Sequence, residues 1–120
     1  MTQMQSLTKY EHQVLPKLRD HLNQSESVED VKKFYIATVQ EFIELATGGK
    51  LEIDYDDVAL TPEKEPFYTL SQKVMSSEAM KELGDSDFDS VMHRMAEQAA
   101  HRHAHLMKNN TKTNLKIKNH

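Results

Sequence analysis

Cysteine and tryptophan are absent from the 120 residues, and glycine and proline occur only three times each. Without cysteine this chain has no disulfide, no thiolate zinc site and no thiol nucleophile. Three glycines and three prolines are too few for the frequent turns of an all-β domain. Long apolar runs are missing as well: none approaches the ~20 residues of a membrane span. The first residues also lack the basic-then-apolar order of a secretory leader. A cytoplasmic protein with no membrane partner is the expectation.

What the chain does contain is charge, unevenly spread. The net formal charge of −4 divides into 7 acids and 5 bases over 1–49, 11 acids and 4 bases over 50–90, and 1 acid and 6 bases over 91–120. Opposite ends of one fold then attract each other, and the chain supplies its own counter-charge. A helix-turn-helix drawn through Glu78 to Arg94 would open its recognition helix with Asp85, Asp87 and Asp89, which phosphate repels. Nucleic acid is therefore not an expected partner.

Helical periodicity dominates the hydrophobic pattern. Met4, Leu7, Tyr10, Val14, Leu15, Leu18 and Leu22 share one helical face, with Pro16 opposite, where it bends the helix or divides it. Ser27 and Asp30 stand in capping-box register before a second helix, which Gly48-Gly49 ends. Its apolar residues, from Val28 and Val31 through Tyr35, Val39 and Phe42 to Ala46, cover more than the ~100° stripe of a surface helix. Either this helix is central or its spare side meets a second subunit, so a homodimer is expected.

The period changes at Lys50 to Asp56, where Leu51, Ile53 and Tyr55 alternate with acidic or basic residues. Leu115 and Ile117 alternate with lysines near the other end, so residues 50–55 are expected to pair with 113–118, opposite charges facing across the ladder. The alternative for 111–120 is a frayed tail. Thr61-Pro62 or Pro66 is expected to open a third helix with Phe67, Leu70 and Val74 inside, interrupted near Ser76-Ser77 and stopped at Gly84. Ser86 then caps a last helix that buries Phe88, Val91, Met92, Met95, Ala99 and Leu106. The fold class that follows is all-α: a small bundle of about four helices over a single domain at 1–110, with that one minor two-stranded element.

Chemistry-bearing residues concentrate on the last helix. Asp89, His93, Glu97, His101 and His105 recur every four residues, a row that winds slowly around the helix and rises about 18 Å from His93 to His105. No single ion reaches all of them, but neighbours can share one. His93, Glu97, His101 and His105 are thus the candidate ligands for a divalent transition metal, zinc, nickel, copper or iron. Completing such a site needs ligands from elsewhere, and His12, His21 and the acids at 54–57 are the available suppliers. His103 borders the apolar face and is expected to be a boundary residue. An HExxH zincin motif is excluded by Arg102, and the Glu-x-x-His pairs of di-iron bundles do not occur. No catalytic constellation stands out. The expected function is a non-enzymatic interaction or regulatory module, dimeric and with a protein partner, and metal binding through the histidine row is the alternative.

Overall fold

The computed structural model describes residues 6–84 and 86–118, with side chains through Lys108. The first helix, α1, spans Thr8–Gln24 and buries Val14, Leu18 and Leu22 on the expected face; Met4 lies outside the described residues. Pro16 sits on the exposed side and the helix runs through it unbroken. The missing amide therefore falls where water serves the freed carbonyl. One residue on the buried face is charged. Glu11 lies between Leu7 and Val14 on that seam and is itself buried.

Ser25 turns the chain by donating its hydroxyl to the His21 carbonyl at 2.8 Å. Helix α2, Val28–Ala46, then starts as expected, with Ser27 Oγ accepting from Asp30 N at 3.2 Å. It ends at Thr47, after which Gly48 and Gly49 take φ of +63° and +80°, a left-handed conformation that costs glycine little. Val31, Tyr35, Val39, Phe42 and Ile43 are almost wholly buried. The wide apolar face is accounted for within one chain, because α1, the last helix and the first strand all pack against α2. The helix is central.

The alternating segment after α2 is not a strand. Residues 50–54 are irregular, Ile53 is buried, and its carbonyl accepts from Gln40 Nε2 at 2.8 Å. A 3-10 turn at Tyr55–Asp57 leads into β1, Val58–Leu60, which pairs antiparallel with β2, Tyr68–Leu70. The expected small two-stranded element therefore exists, but between other residues: 50–55 do not pair with 113–118, whose backbone continues the last helix to Lys118. A seven-residue loop costs far less closure entropy than one of about sixty, and the helical end satisfies its own amides. The expected helix from Thr61-Pro62 is also absent. Residues 61–67 form the hairpin loop, closed by Thr61 N donating to Phe67 O at 2.7 Å.

Two short helices follow, α3 (Gln72–Met75) and α4 (Glu78–Glu82), divided at Ser76-Ser77 as expected. The last helix, α5, spans Phe88–Lys118. Phe88, Val91, Met92, Met95, Ala99 and Leu106 are all buried, as their spacing requires. The helix starts after Asp87, one residue later than a Ser86 cap would place it, because Asp87 is engaged elsewhere. Its carboxylate accepts from Leu7 N at 2.7 Å and from Thr8 Oγ1 at 3.3 Å, capping α1 from 80 residues away. Arg94 forks onto Glu11, with Nε and Nη2 at 2.7 and 2.8 Å from its two oxygens. Arg102 Nη2 donates to the Asn23 and Ser25 carbonyls at 3.4 and 3.0 Å. These three contacts pair the start of α1 with the start of α5 and the end of α1 with the middle of α5, so α5 runs parallel to α1 while α2 returns antiparallel to both. Of the three, the Glu11–Arg94 contact joins opposite charges, from the 1–49 and 91–120 stretches.

Removing Arg94 leaves Glu11 charged at 5% side-chain exposure, whereas Arg94 itself is 48% exposed. Breaking a buried pair costs about 3–5 kcal/mol, and half-exposure of the cation reduces that. Arg94→Leu is therefore expected to destabilise by about 2 kcal/mol. Urea unfolding should show the Glu11→Leu/Arg94→Leu double variant losing clearly less than the sum of the single losses; strict additivity would mean that the pair does not couple.

Candidate binding cleft

Serine hydroxyls position the short helices. Ser71 Oγ accepts from Val74 N at 3.3 Å at the start of α3, and Ser77 Oγ accepts from Met80 N at 3.2 Å at the start of α4. Helices of one turn are too short to hold themselves, so these caps and the fully buried Val74 fix the arm they form. Ser71 is anchored in turn by Asp57: Ser71 N donates to the Asp57 carbonyl and Ser71 Oγ to its Oδ1, both at 2.8 Å. The same carboxylate takes Asp54 N at 2.9 Å, and Lys73 Nζ stands 3.5 Å away.

Between this arm, β2 and the first turn of α5 lies a cleft of about 480 Å³. Leu70, Met80, Leu83 and Phe88 form much of its wall, and Met75 stands at its edge with 61% of its surface exposed. Phe88 is held from behind by the Phe42 ring, stacked at 5.8 Å. Tyr68, Thr69, Ser86 and Asp89 supply the polar part of the described lining, and Asp89 is its charged member. Burial pushes the Tyr68 phenol up to about 12, and the nearby negative charge of Asp89 adds to the rise. Deeper in the core, burial and then the neighbouring Tyr68 hold the Tyr35 phenol well above its ordinary range; its hydroxyl has no hydrogen-bond partner among the described residues. Both phenols stay neutral at physiological pH, so they serve as hydrogen-bonding groups and not as bases. Ser71, Ser77 and Ser86 hydroxyls are all committed to protein partners. The cleft is equipped to bind: apolar, concave, within the range of ligand pockets, with polar groups to orient an occupant.

The histidine row is dispersed. His93 is half-buried with its ring stacked on Phe67 at 5.8 Å, so it braces the hairpin loop, where Phe67 takes a φ of +76°. Glu97 is half-buried, while His101 and His105 are exposed. His101, His103 and His105 border a shallow depression of about 710 Å³ that Glu63 of the hairpin loop also lines. Burial, and then the charge of Lys32, pushes His103 below its ordinary value, as suits a boundary residue. Of the other anticipated suppliers, His21 stacks on Phe34 at 4.6 Å, Asp54 and Asp57 engage Lys73, and His12 and Asp56 are exposed. Among the described residues no three His, Asp or Glu side chains come close enough together to hold a metal ion. No described helix is long and apolar enough to cross a membrane. Comparison with family models, with curated proteins and with solved structures gives no match.

The Asp54 amide, the Ser71 hydroxyl and Lys73 hold the Asp57 carboxyl below its ordinary value of 3.8. A depressed carboxyl contributes stability that is complete above its unfolded pKa and is lost as pH falls through the folded one. Part of the acid sensitivity below about pH 4 should therefore belong to Asp57. In urea melts from neutral pH down to about pH 2.5, Asp57→Asn is expected to flatten the acid limb relative to wild type. An unchanged slope would mean that Asp57 is not a proton-linked anchor.

Proposed function

We propose that the protein is a non-enzymatic interaction module that docks a segment of a partner protein in the cleft between β2, the α3–α4 arm and the start of α5. The observation that carries this is the cleft itself: an apolar concavity with an exposed methionine in its lining. Methionine adapts its shape to a partner at little cost, which suits Met75 and Met80 to a docking surface. The working unit in this proposal is a dimer of the chain or a complex with another protein, and a second copy is one partner that the cleft admits. The wide face of α2 no longer argues for the dimer, since the monomer covers it.

Peptides selected by display against the folded protein are expected to shift the methyl NMR signals of Met75 and Met80 and to lose binding in Met80→Gln. Selection of peptides that leave both methyls unmoved would sink the docking role of the cleft.

One observation supports a second reading, metal capture at His101 and His105. Glu63, a carboxylate from the hairpin loop, lines the same depression as those two histidines. Two imidazoles one helical turn apart suit zinc, nickel or copper. At about 100 μM metal, stabilisation on the order of 1–3 kcal/mol is expected, reversed by a chelator and absent from the His101→Ala/His105→Ala variant. A melting temperature unmoved by any of the three ions would end that reading.

A further inference from the structure

The cleft carries a negative charge, Asp89, as well as an apolar wall. Every residue that lines it lies between Pro66 and Asp89, inside the 50–90 stretch that holds 11 acids and 4 bases. One of those four bases, Lys73, already bridges Asp54 and Asp57 at 3.2 and 3.5 Å. Asp89 is exposed and borders the space beside two aromatic residues, Tyr68 and Phe88. A carboxylate next to aromatic faces is the combination that recognises an ammonium or guanidinium group: the carboxylate supplies charge-assisted hydrogen bonds and the ring faces attract the cation. An acidic occupant would meet repulsion from Asp89 and from the surrounding stretch.

We infer that the cleft binds a basic amphipathic segment of a partner protein, with apolar side chains against Leu70, Met80 and Phe88 and a lysine or arginine on Asp89 and the Tyr68 ring. This rests on the docking role proposed above and adds the chemistry of the occupant. Apolar contact supplies affinity, and the cation sets which segment is accepted and how the affinity responds to salt. Asp89 is a specificity residue in this scheme, because a neutral segment would fill the same apolar space without engaging it.

Three synthetic helical peptides of equal length test the inference, built from leucine with lysine, leucine with glutamine, and leucine with glutamate. Binding is followed by calorimetry and located by the Met75 and Met80 methyl signals of the full chain. The Leu/Lys peptide is expected to move both methyls, to bind at least about tenfold more tightly than Leu/Gln, and to lose about that factor in Asp89→Asn. Its affinity should also fall between about 50 and about 300 mM NaCl, and the Leu/Glu peptide should leave the methyls unmoved. Met80→Gln should weaken Leu/Lys and Leu/Gln alike, which separates the apolar contribution from the ionic one. Equal affinity of Leu/Lys and Leu/Gln at these methyls, or an Asp89→Asn variant that binds Leu/Lys normally, would overturn the basic preference and leave the docking role standing. No methyl shift with any peptide would overturn the docking role and this inference with it. Concentration-dependent shifts of the two methyls without peptide, removed by Asp89→Asn, would assign the cleft to a second copy of the chain and overturn the inference.

Discussion

The fork between Arg94 and Glu11 sits inside the seam of two helices that are otherwise joined by apolar contacts. Glu11 occupies a position that its helical register sends into the core, between Leu7 and Val14. A carboxylate there is tolerable only with a fixed partner, and one arrangement of α5 provides it. Apolar side chains can slide past one another at modest cost, whereas a two-point ionic contact cannot. The pair therefore contributes register more than net stability. Asp87 on the Leu7 amide and Arg102 on the last carbonyls of α1 repeat the constraint at either end. Asp87 serves the start of the helix, where Leu7 has no side chain able to cap it, and Arg102 adds to the Ser25 contacts at its end.

The cleft follows from that alignment. Phe88 and Asp89 form the first turn of α5, directly after the Asp87 contact, so the latch that caps α1 also places one wall of the binding site. The opposite wall, the α3–α4 arm, hangs from Ser71 and Ser77 and is tied through Asp57 to the turn before β1. Two short helices held by caps and by the buried Val74 and Ala79 are the least self-sufficient part of the molecule. A surface that must adapt to an occupant is suitably built there. On this view the three long helices form the frame, and the hairpin with the short arm forms the part that engages a partner.

Helix ends and the main seams were legible because they depend on local chemistry. Ser27 before a valine and Gly48-Gly49 after a threonine bound α2, and the spacing of Phe88 to Leu106 describes the inner face of α5. The hairpin was not legible, because strands of three residues are too short to show a period of two. Phe67, Leu70 and Val74 also happen to fall at helical spacing. The alternation of Leu51, Ile53 and Tyr55 was real as a burial pattern at Leu51 and Ile53, but no ladder accompanies it. Of the site, the histidines drew attention as unusual residues, and the fold sends His93 to Phe67 and His21 to Phe34. Leucine, methionine and tyrosine at 68–88 form the cleft only once the chain has turned twice. One signal was available from the start: a glutamate at position 11 on an apolar stripe asks for a cation, and arginine at 94 or 102 can supply it.

Parallel alignment of α1 and α5 underlies the latches, the position of Phe88 and hence the cleft, and it can be measured directly. The chain has no cysteine, so pairs of introduced cysteines can be spin-labelled without background. Electron–electron distances would be compared for the exposed pairs Asn23→Cys/His101→Cys and Lys9→Cys/His101→Cys. Parallel packing predicts that the first distance is the shorter by roughly 13 Å, because an axial rise of about 21 Å between positions 9 and 23 combines with a lateral spacing of about 10 Å. The reverse order, or two equal distances, would contradict the alignment and with it the site built upon it.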